Sequence, residues 1–236
     1  MMARAVLFDL GNTLVRYYSR DEFPAILRKC LRSVAEALSY KAADFERLFK
    51  KALELNREAD DLSVRPLEDR ILTLFPTCDS TDSAAMNRVC QAFMGPIFSC
   101  ARIEDDTLEV LDQLRKRGLR TAIVSNTPWG SPAELWLEEL RRFGLTERVD
   151  AVTFCVEVGW RKPHPAPFIH TLKKLAIEPT DAVFVGDDPR WDIEGALRAG
   201  IRPILISANP IEVRNCTKIE RLSFLLDPDV LSIDAD

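Results

Sequence analysis

Apolar positions along the chain follow two periods. Short apolar runs at residues 5–8, 120–124, 151–154, 182–185 and 203–206 have the length and flanks of buried strands. Between them lie segments with helical spacing and legible ends. Leu108, Leu111 and Leu114 share one face, and Gly118 supplies a stop. Ser131, Pro132 and Glu134 predict an N-cap, a first helical residue and a capping box, for a helix that runs to Phe143 and stops at Gly144. Residues 189–199, followed by Gly200, repeat that pattern. Strand alternating with helix predicts an α/β fold built on a doubly wound parallel sheet.

Residues 21–98 break the alternation, for no strand pattern occurs there. Phe23, Ile26, Leu27, Cys30, Leu31, Val34, Ala35 and Leu38 follow i, i+3, i+4, i+7 spacing. Phe45, Leu48, Phe49, Ala52 and Leu53 make a second stripe. Leu67, Ile71, Leu72 and Phe75 make a third, and Met86, Val89, Cys90 and Phe93 a fourth. Such stripes are core faces, so a separate small helical bundle is expected, inserted after the first strand.

Composition narrows the classes. With 47% hydrophobic and 29% charged residues, a disordered chain, a collagen-like fibre and a coiled coil are excluded. Net charge is −5 without a basic run, so no nucleic-acid partner is expected. The opening apolar run meets Asp9 too early for a secretory signal, and no stretch is long enough to span a membrane. Six cysteines, at 30, 78, 90, 100, 155 and 216, form no C-x-x-C pair or zinc pattern. They read as reduced, mostly buried thiols in a cytoplasmic protein. Neither G-x-x-x-x-G-K-[ST] nor G-x-G-x-x-G occurs.

In a doubly wound sheet, ligands bind at the carboxyl ends of strands. Here those ends carry Asp9-Leu10-Gly11-Asn12-Thr13, then Ser125-Asn126-Thr127, then Trp160-Arg161-Lys162-Pro163 in the loop after the third strand, then Gly186-Asp187-Asp188 with Asp192 a turn further on. Carboxylates without histidine suit a hard cation such as Mg²⁺. A carboxylate can also act as a nucleophile, while lysine and hydroxyl donors hold phosphoryl oxygens. A lone aspartate after a strand is more often a turn or cap residue. It is the four strand ends together that point to a site.

Over most of the chain these segments resemble the haloacid dehalogenase superfamily. FDLGNTL, AIVSN, WRKPHP and VGDDPRWDIEGA are similar to its four motifs, in order. The resemblance implies a Rossmann-like core, residues 1–16 and 99–236, and a helical cap, residues 17–98. It implies a Mg²⁺-dependent phosphoric monoester hydrolase acting on small phosphorylated metabolites through an aspartyl-phosphate. Asp9 matches the nucleophile, and Thr13 the hydroxyl bracing the first loop. Ser125, with its neighbour Asn126, matches the phosphate-binding motif, and Lys162 the lysine that balances charge. Asp9, the main-chain carbonyl of Gly11, Asp187 and Asp192 match the metal-binding positions. Asp188 falls where relatives carry serine or asparagine.

One position departs from the pattern. Gly11 stands where phosphatases of the family carry an aspartate that protonates the leaving oxygen. Two alternatives follow from that gap. One is a 2-haloacid dehalogenase, which lacks that acid but does not need Asp187 and Asp192. The other is a phosphate-binding or regulatory protein with impaired turnover. His164 and His170 read as structural, as do Trp129, Trp160 and Trp191 beside the motifs. Tyr17 and Tyr18 are expected to contact substrate or to pack at the hinge. The substrate and the oligomeric state are not legible.

Overall fold

The computed structural model describes residues 2–41, 44–78, 82–209, 213 and 216–232. Eight strands are present among them: β1 (Ala5–Phe8), β2 (Val15–Arg16), β3 (Arg102–Ile103), β4 (Arg120–Ser125), β5 (Ala151–Phe154), β6 (Ala182–Gly186), β7 (Arg202–Ile206) and β8 (Thr217–Ile219). Six of them form one parallel sheet in the order β5-β4-β1-β6-β7-β8. Parallel strands covered on both faces read as unbroken apolar runs, and β1 and β6 are buried at every position. The five predicted strands are all there. β8 and the β2–β3 pair are additions.

Strand order reverses at β1, which lies between β4 and β6. That makes the carboxyl end of β1 the switch point, where a crevice opens.

The chain leaves the sheet along β2 and returns along β3, and the two pair antiparallel. Arg16 clasps Glu104 beside them through Nε and Nη2, at 3.0 and 3.1 Å. Between the two strands lie the helices Phe23–Ala37, Phe45–Glu54, Glu58–Asp61, Leu67–Leu74 and Ser83–Ser99, each long one carrying a predicted stripe. Asp44 and Asp82 start two of them by accepting the backbone N–H of Arg47 and Ala85. Leu53 departs from its stripe and is 40% exposed.

The bundle is not cored separately. Its buried residues, among them Leu27, Leu31, Phe93 and Ile97, form one continuous cluster with Val6, Phe8 and Ile123 on one face of the sheet. Trp129 stitches the two together, its ring stacked on Phe93 with centroids 5.3 Å apart. The opposite face buries Leu7, Val124, Phe168, Leu172 and Phe184.

Two predicted helix starts change. Ser131 does not cap its helix, which spans Ala133–Arg142 behind Pro132 with no side-chain cap. The Ser131 hydroxyl accepts the Trp136 indole N–H at 2.8 Å instead, both groups being buried. After β6 the chain makes a wide π-turn, Pro189–Glu194, before the α-helical turn Gly195–Arg198. No described helix is long and apolar enough to cross a membrane, and no disulfide joins the described cysteines.

Candidate active site

The crevice at the end of β1 is a cavity of about 460 Å³ that contains Asp9, Gly11, Ser125, Asn126, Lys162, Asp187 and Asp192 on its walls. Thr13, buried behind it, is the one expected site residue absent from that lining. Residues 153 positions apart thus meet. Lys162 Nζ donates to Asp9 Oδ1 at 2.5 Å and to Asp192 Oδ1 at 2.6 Å. Its ammonium also lies 5.2 Å from the Phe184 ring centroid, over a β6 side chain. Carboxyl oxygens of Asp9, Asp187 and Asp192 lie within 4.8 Å of one another.

Local structure explains each placement. Asp9 follows β1 directly, and its N–H continues the ladder by donating to the Val185 carbonyl at 2.9 Å. Asp192 reaches back across the π-turn, so that its Oδ2 accepts the Asp188 N–H at 3.0 Å. That approach needs a glycine on β6. A Cβ built on Gly186 would stand 2.4 Å from Asp192 Cγ. Asp188 itself is a cap, accepting the N–H groups of Arg190 and Trp191 at 2.8 and 2.9 Å.

The side-chain amide of Asn126 is engaged with the lysine loop. Its Oδ1 accepts the Lys162 N–H at 2.9 Å, and its Nδ2 donates to the Lys162 carbonyl at 3.2 Å. The amide therefore clamps the lysine loop from the end of β4. Nor does the expected Thr13 brace form, for its buried hydroxyl has no partner. Ser125 ends β4 and stays beside the cavity, its side chain uncommitted among the hydrogen bonds described. His164 uses Nδ1 to accept the Ala166 N–H and stacks on Trp160, which sets it in the loop rather than in the chemistry.

The helical insert docks on the lysine loop. Val64 N–H donates to the Gly159 carbonyl at 3.1 Å, and Arg161 N–H donates to the Leu62 carbonyl at 2.9 Å. Arg161, Trp136 and Asn56 also line the cavity and were not singled out by sequence. Motif position was the available signal for Arg161, as the immediate neighbour of Lys162.

The electrostatics are lopsided. Three carboxylates share one lysine in a site where Asp192 and Lys162 are each 1% exposed. Burial, reinforced by the charge on Asp9 and Asp192, pushes the Asp187 carboxyl up to about 8. Burial also raises Asp192, to about 7, although Lys162 pulls the other way. Burial alone would lower the Lys162 ammonium, but Asp192 and Asp9 outweigh it and hold the lysine charged. All the donors here are oxygens and negative charge is in excess, the donor set of a hard divalent cation.

A parallel sheet with acids gathered at its switch point defines an α/β protein with a polar site at the end of β1. The chain belongs to the haloacid dehalogenase-like hydrolases, whose family pattern matches residues 3–200. It is 29% identical over 205 residues to a glyceraldehyde 3-phosphate phosphatase from Methanopyrus kandleri, covering 87% of this chain and 84% of that one. It is also 29% identical over 240 residues to a ribulose-1,5-bisphosphate 5-phosphatase from Halopiger xanaduensis, covering 92% and 89%. Among solved structures, a 2-haloacid dehalogenase from Pseudomonas syringae pv. Tomato superposes with a TM-score of 0.68 at 25% identity, covering 98% of both chains.

Proposed function

We propose that the chain is a Mg²⁺-dependent phosphatase of small phosphorylated metabolites, working through an aspartyl-phosphate on Asp9. The observation that carries this reading is the meeting of Asp9, Asp187 and Asp192 around one buried lysine. The phosphatase names of the two sequence relatives support it.

Asp9 Oδ attacks phosphorus in line, the P–O bond to the alcohol breaks, and that oxygen leaves with the electron pair. Water then attacks phosphorus and regenerates Asp9, releasing phosphate. Lys162 offsets charge on the nucleophile and the phosphoryl oxygens, with Ser125 as a further donor. Asn126 keeps Lys162 in place. Asp9, the Gly11 carbonyl, Asp187 and Asp192 would hold Mg²⁺, which supplies the positive charge that one lysine cannot. Asp192 gives Oδ1 to Lys162 and Oδ2 to Asp188, so it positions the lysine as well. Residues 17–98 serve as the cap, excluding bulk water when docked on the lysine loop.

The test is a screen of phosphorylated metabolites with Mg²⁺, repeated with chelator. Phosphate release that vanishes with chelator is the expected result. Halide release from 2-chloropropionate that persists in chelator would replace the reading with dehalogenation. Binding of phosphorylated compounds without turnover would point to a regulatory protein, the alternative that Gly11 keeps open.

A further inference from the structure

Beyond the acids and Lys162, rings make up much of the cavity wall. Tyr17, Tyr18, Phe23 and Trp191 line it, and each is only half-buried. Tyr17 stands beside the nucleophile loop. A Cβ built on Gly11, two residues after Asp9, would meet the Tyr17 ring at Cδ2, 3.9 Å away, and nothing else within 4 Å apart from its chain neighbours. The space beside Gly11 is therefore open and bounded by a ring. That ring is set edge-on against Trp136, with centroids 5.5 Å apart. Trp136 is pinned in turn by its indole N–H to Ser131 at 2.8 Å and by a T-shaped contact with Phe98 at 5.1 Å. Tyr18 and Phe23 pair at 6.2 Å. Rings held by other rings lose little freedom when a ligand packs on them, and a flat aromatic group is the ligand they favour.

The same wall offers no acid for the departing oxygen. Among the described residues it contains neither histidine nor cysteine. Asp188 is turned to the backbone as a cap, and Lys162 is shared between Asp9 and Asp192. Asp9, Asp187 and Asp192 are nucleophile and metal ligands in the reading above. The leaving oxygen must therefore depart as an anion. A phenolate meets both demands, since its ring spreads the charge and also packs on the wall.

We propose that the substrate is a phosphate monoester of an aromatic alcohol, whose ring lies against Tyr17 beside Gly11, with Tyr18, Phe23 and Trp191 completing the wall. The bond from Asp9 Oδ to phosphorus forms and the bond from phosphorus to the phenol oxygen breaks. The electron pair leaves on a phenolate, which takes its proton from solvent. Tyr17 is then a specificity-determining residue of the site. This rests on the phosphatase reading and adds recognition of the ring to the effect of leaving-group basicity.

The test separates the ring from its acidity. Phenyl phosphate is compared with hexafluoroisopropyl phosphate, whose alcohol is about as acidic as phenol but has no ring. With Mg²⁺ present, the wild type should prefer the phenyl ester by about 10-fold or more in kcat/KM, since each aromatic contact is worth about 2- to 12-fold. Equal rates overturn the proposal. Tyr17→Leu should bring the ratio close to one, whereas Tyr17→Phe, which keeps the ring, should preserve it. Phe23→Leu, at a half-buried position, should lower the ratio by about 2- to 12-fold. Loss of the preference in Tyr17→Phe, or variants that slow both esters equally, overturns the assignment to the rings. Calorimetry in Mg²⁺ with benzylphosphonate and cyclohexylmethylphosphonate, alike in size but only one aromatic, measures the same recognition without turnover. Tighter binding of benzylphosphonate is expected, and equal affinity or no binding of either overturns the proposal. Hence failure of all hydrolysis would sink the phosphatase reading, while the phosphonate ratio still decides this one.

Discussion

Replacing Gly11 with aspartate tests what the site lacks. When Asp9 attacks, negative charge develops on the departing oxygen. At position 11 no side chain can protonate it, and the nearby Tyr17 hydroxyl is held well above its ordinary range by burial and Glu139. The leaving group must carry the charge itself. A phenol has pKa near 10, while a simple alcohol lies closer to the ~15.7 of water. A gap of about 5 units is worth about 7 kcal/mol for full charge at 1.36 kcal/mol per unit. With about half the charge developed in the transition state, the difference is about 3.5 kcal/mol, or several hundredfold in rate. The wild type should therefore favour phenyl over ethyl phosphate by about that factor. Gly11 has room for a side chain, since the nearest atom to an added Cβ is Tyr17 Cδ2 at 3.9 Å, an ordinary contact. Gly11→Asp should raise kcat/KM for ethyl phosphate by about 10²–10⁴, the usual contribution of a general acid, and raise phenyl phosphate far less. The assay is kcat/KM across an aryl and alkyl series in saturating Mg²⁺. Equal wild-type rates across the series would refute the reasoning, as would an unchanged slope in a well-folded variant.

Asp9→Asn should keep the fold and abolish phosphate release, because an amide is a poor nucleophile; residual turnover near wild type would rule out the covalent route. Gly186→Ala puts a methyl into Asp192, whose Cγ is 2.4 Å from the new carbon. Overpacking of about 1–3 kcal/mol should lower Tm by roughly 2–12 °C, and turnover should fall as Asp192 leaves Lys162; an unchanged melting curve would contradict the packing. Asn126→Ala removes both bonds to the Lys162 backbone. It should cost about 1–3 kcal/mol in denaturant titration and lower kcat more than it raises KM, whereas a pure KM effect would assign Asn126 to substrate contact.

Periodicity made the core strands legible because both faces of the sheet are covered, so β1 and β6 are apolar throughout and β4 carries Ala122, Ile123 and Val124 between polar ends. The same pattern is too short to register in β2 and β3, two residues each, or in β8, whose sequence is Thr-Lys-Ile. Local signals misled where a tertiary partner competed for the same atom. Ser131 looks like an N-cap, yet its hydroxyl meets the Trp136 indole in the core. The hold of the Asn126 amide on a backbone 36 residues away has no local signal at all. Gly186 carries no motif signal of its own, because its requirement comes from Asp192 folding back onto β6.

Charge balance is the part of the site that spacing along the chain cannot express. Asp9, Asp187, Asp192 and Lys162 lie on three separate loops, and each loop alone would be an unremarkable solvated turn. Once the sheet brings them to the end of β1, three carboxylates and one ammonium share a buried volume. Ionising all three leaves two negative charges uncompensated where water is scarce, which is why Asp187 and Asp192 resist ionisation. A divalent cation, as proposed here, would cancel that excess and keep the carboxylates ionised at neutral pH.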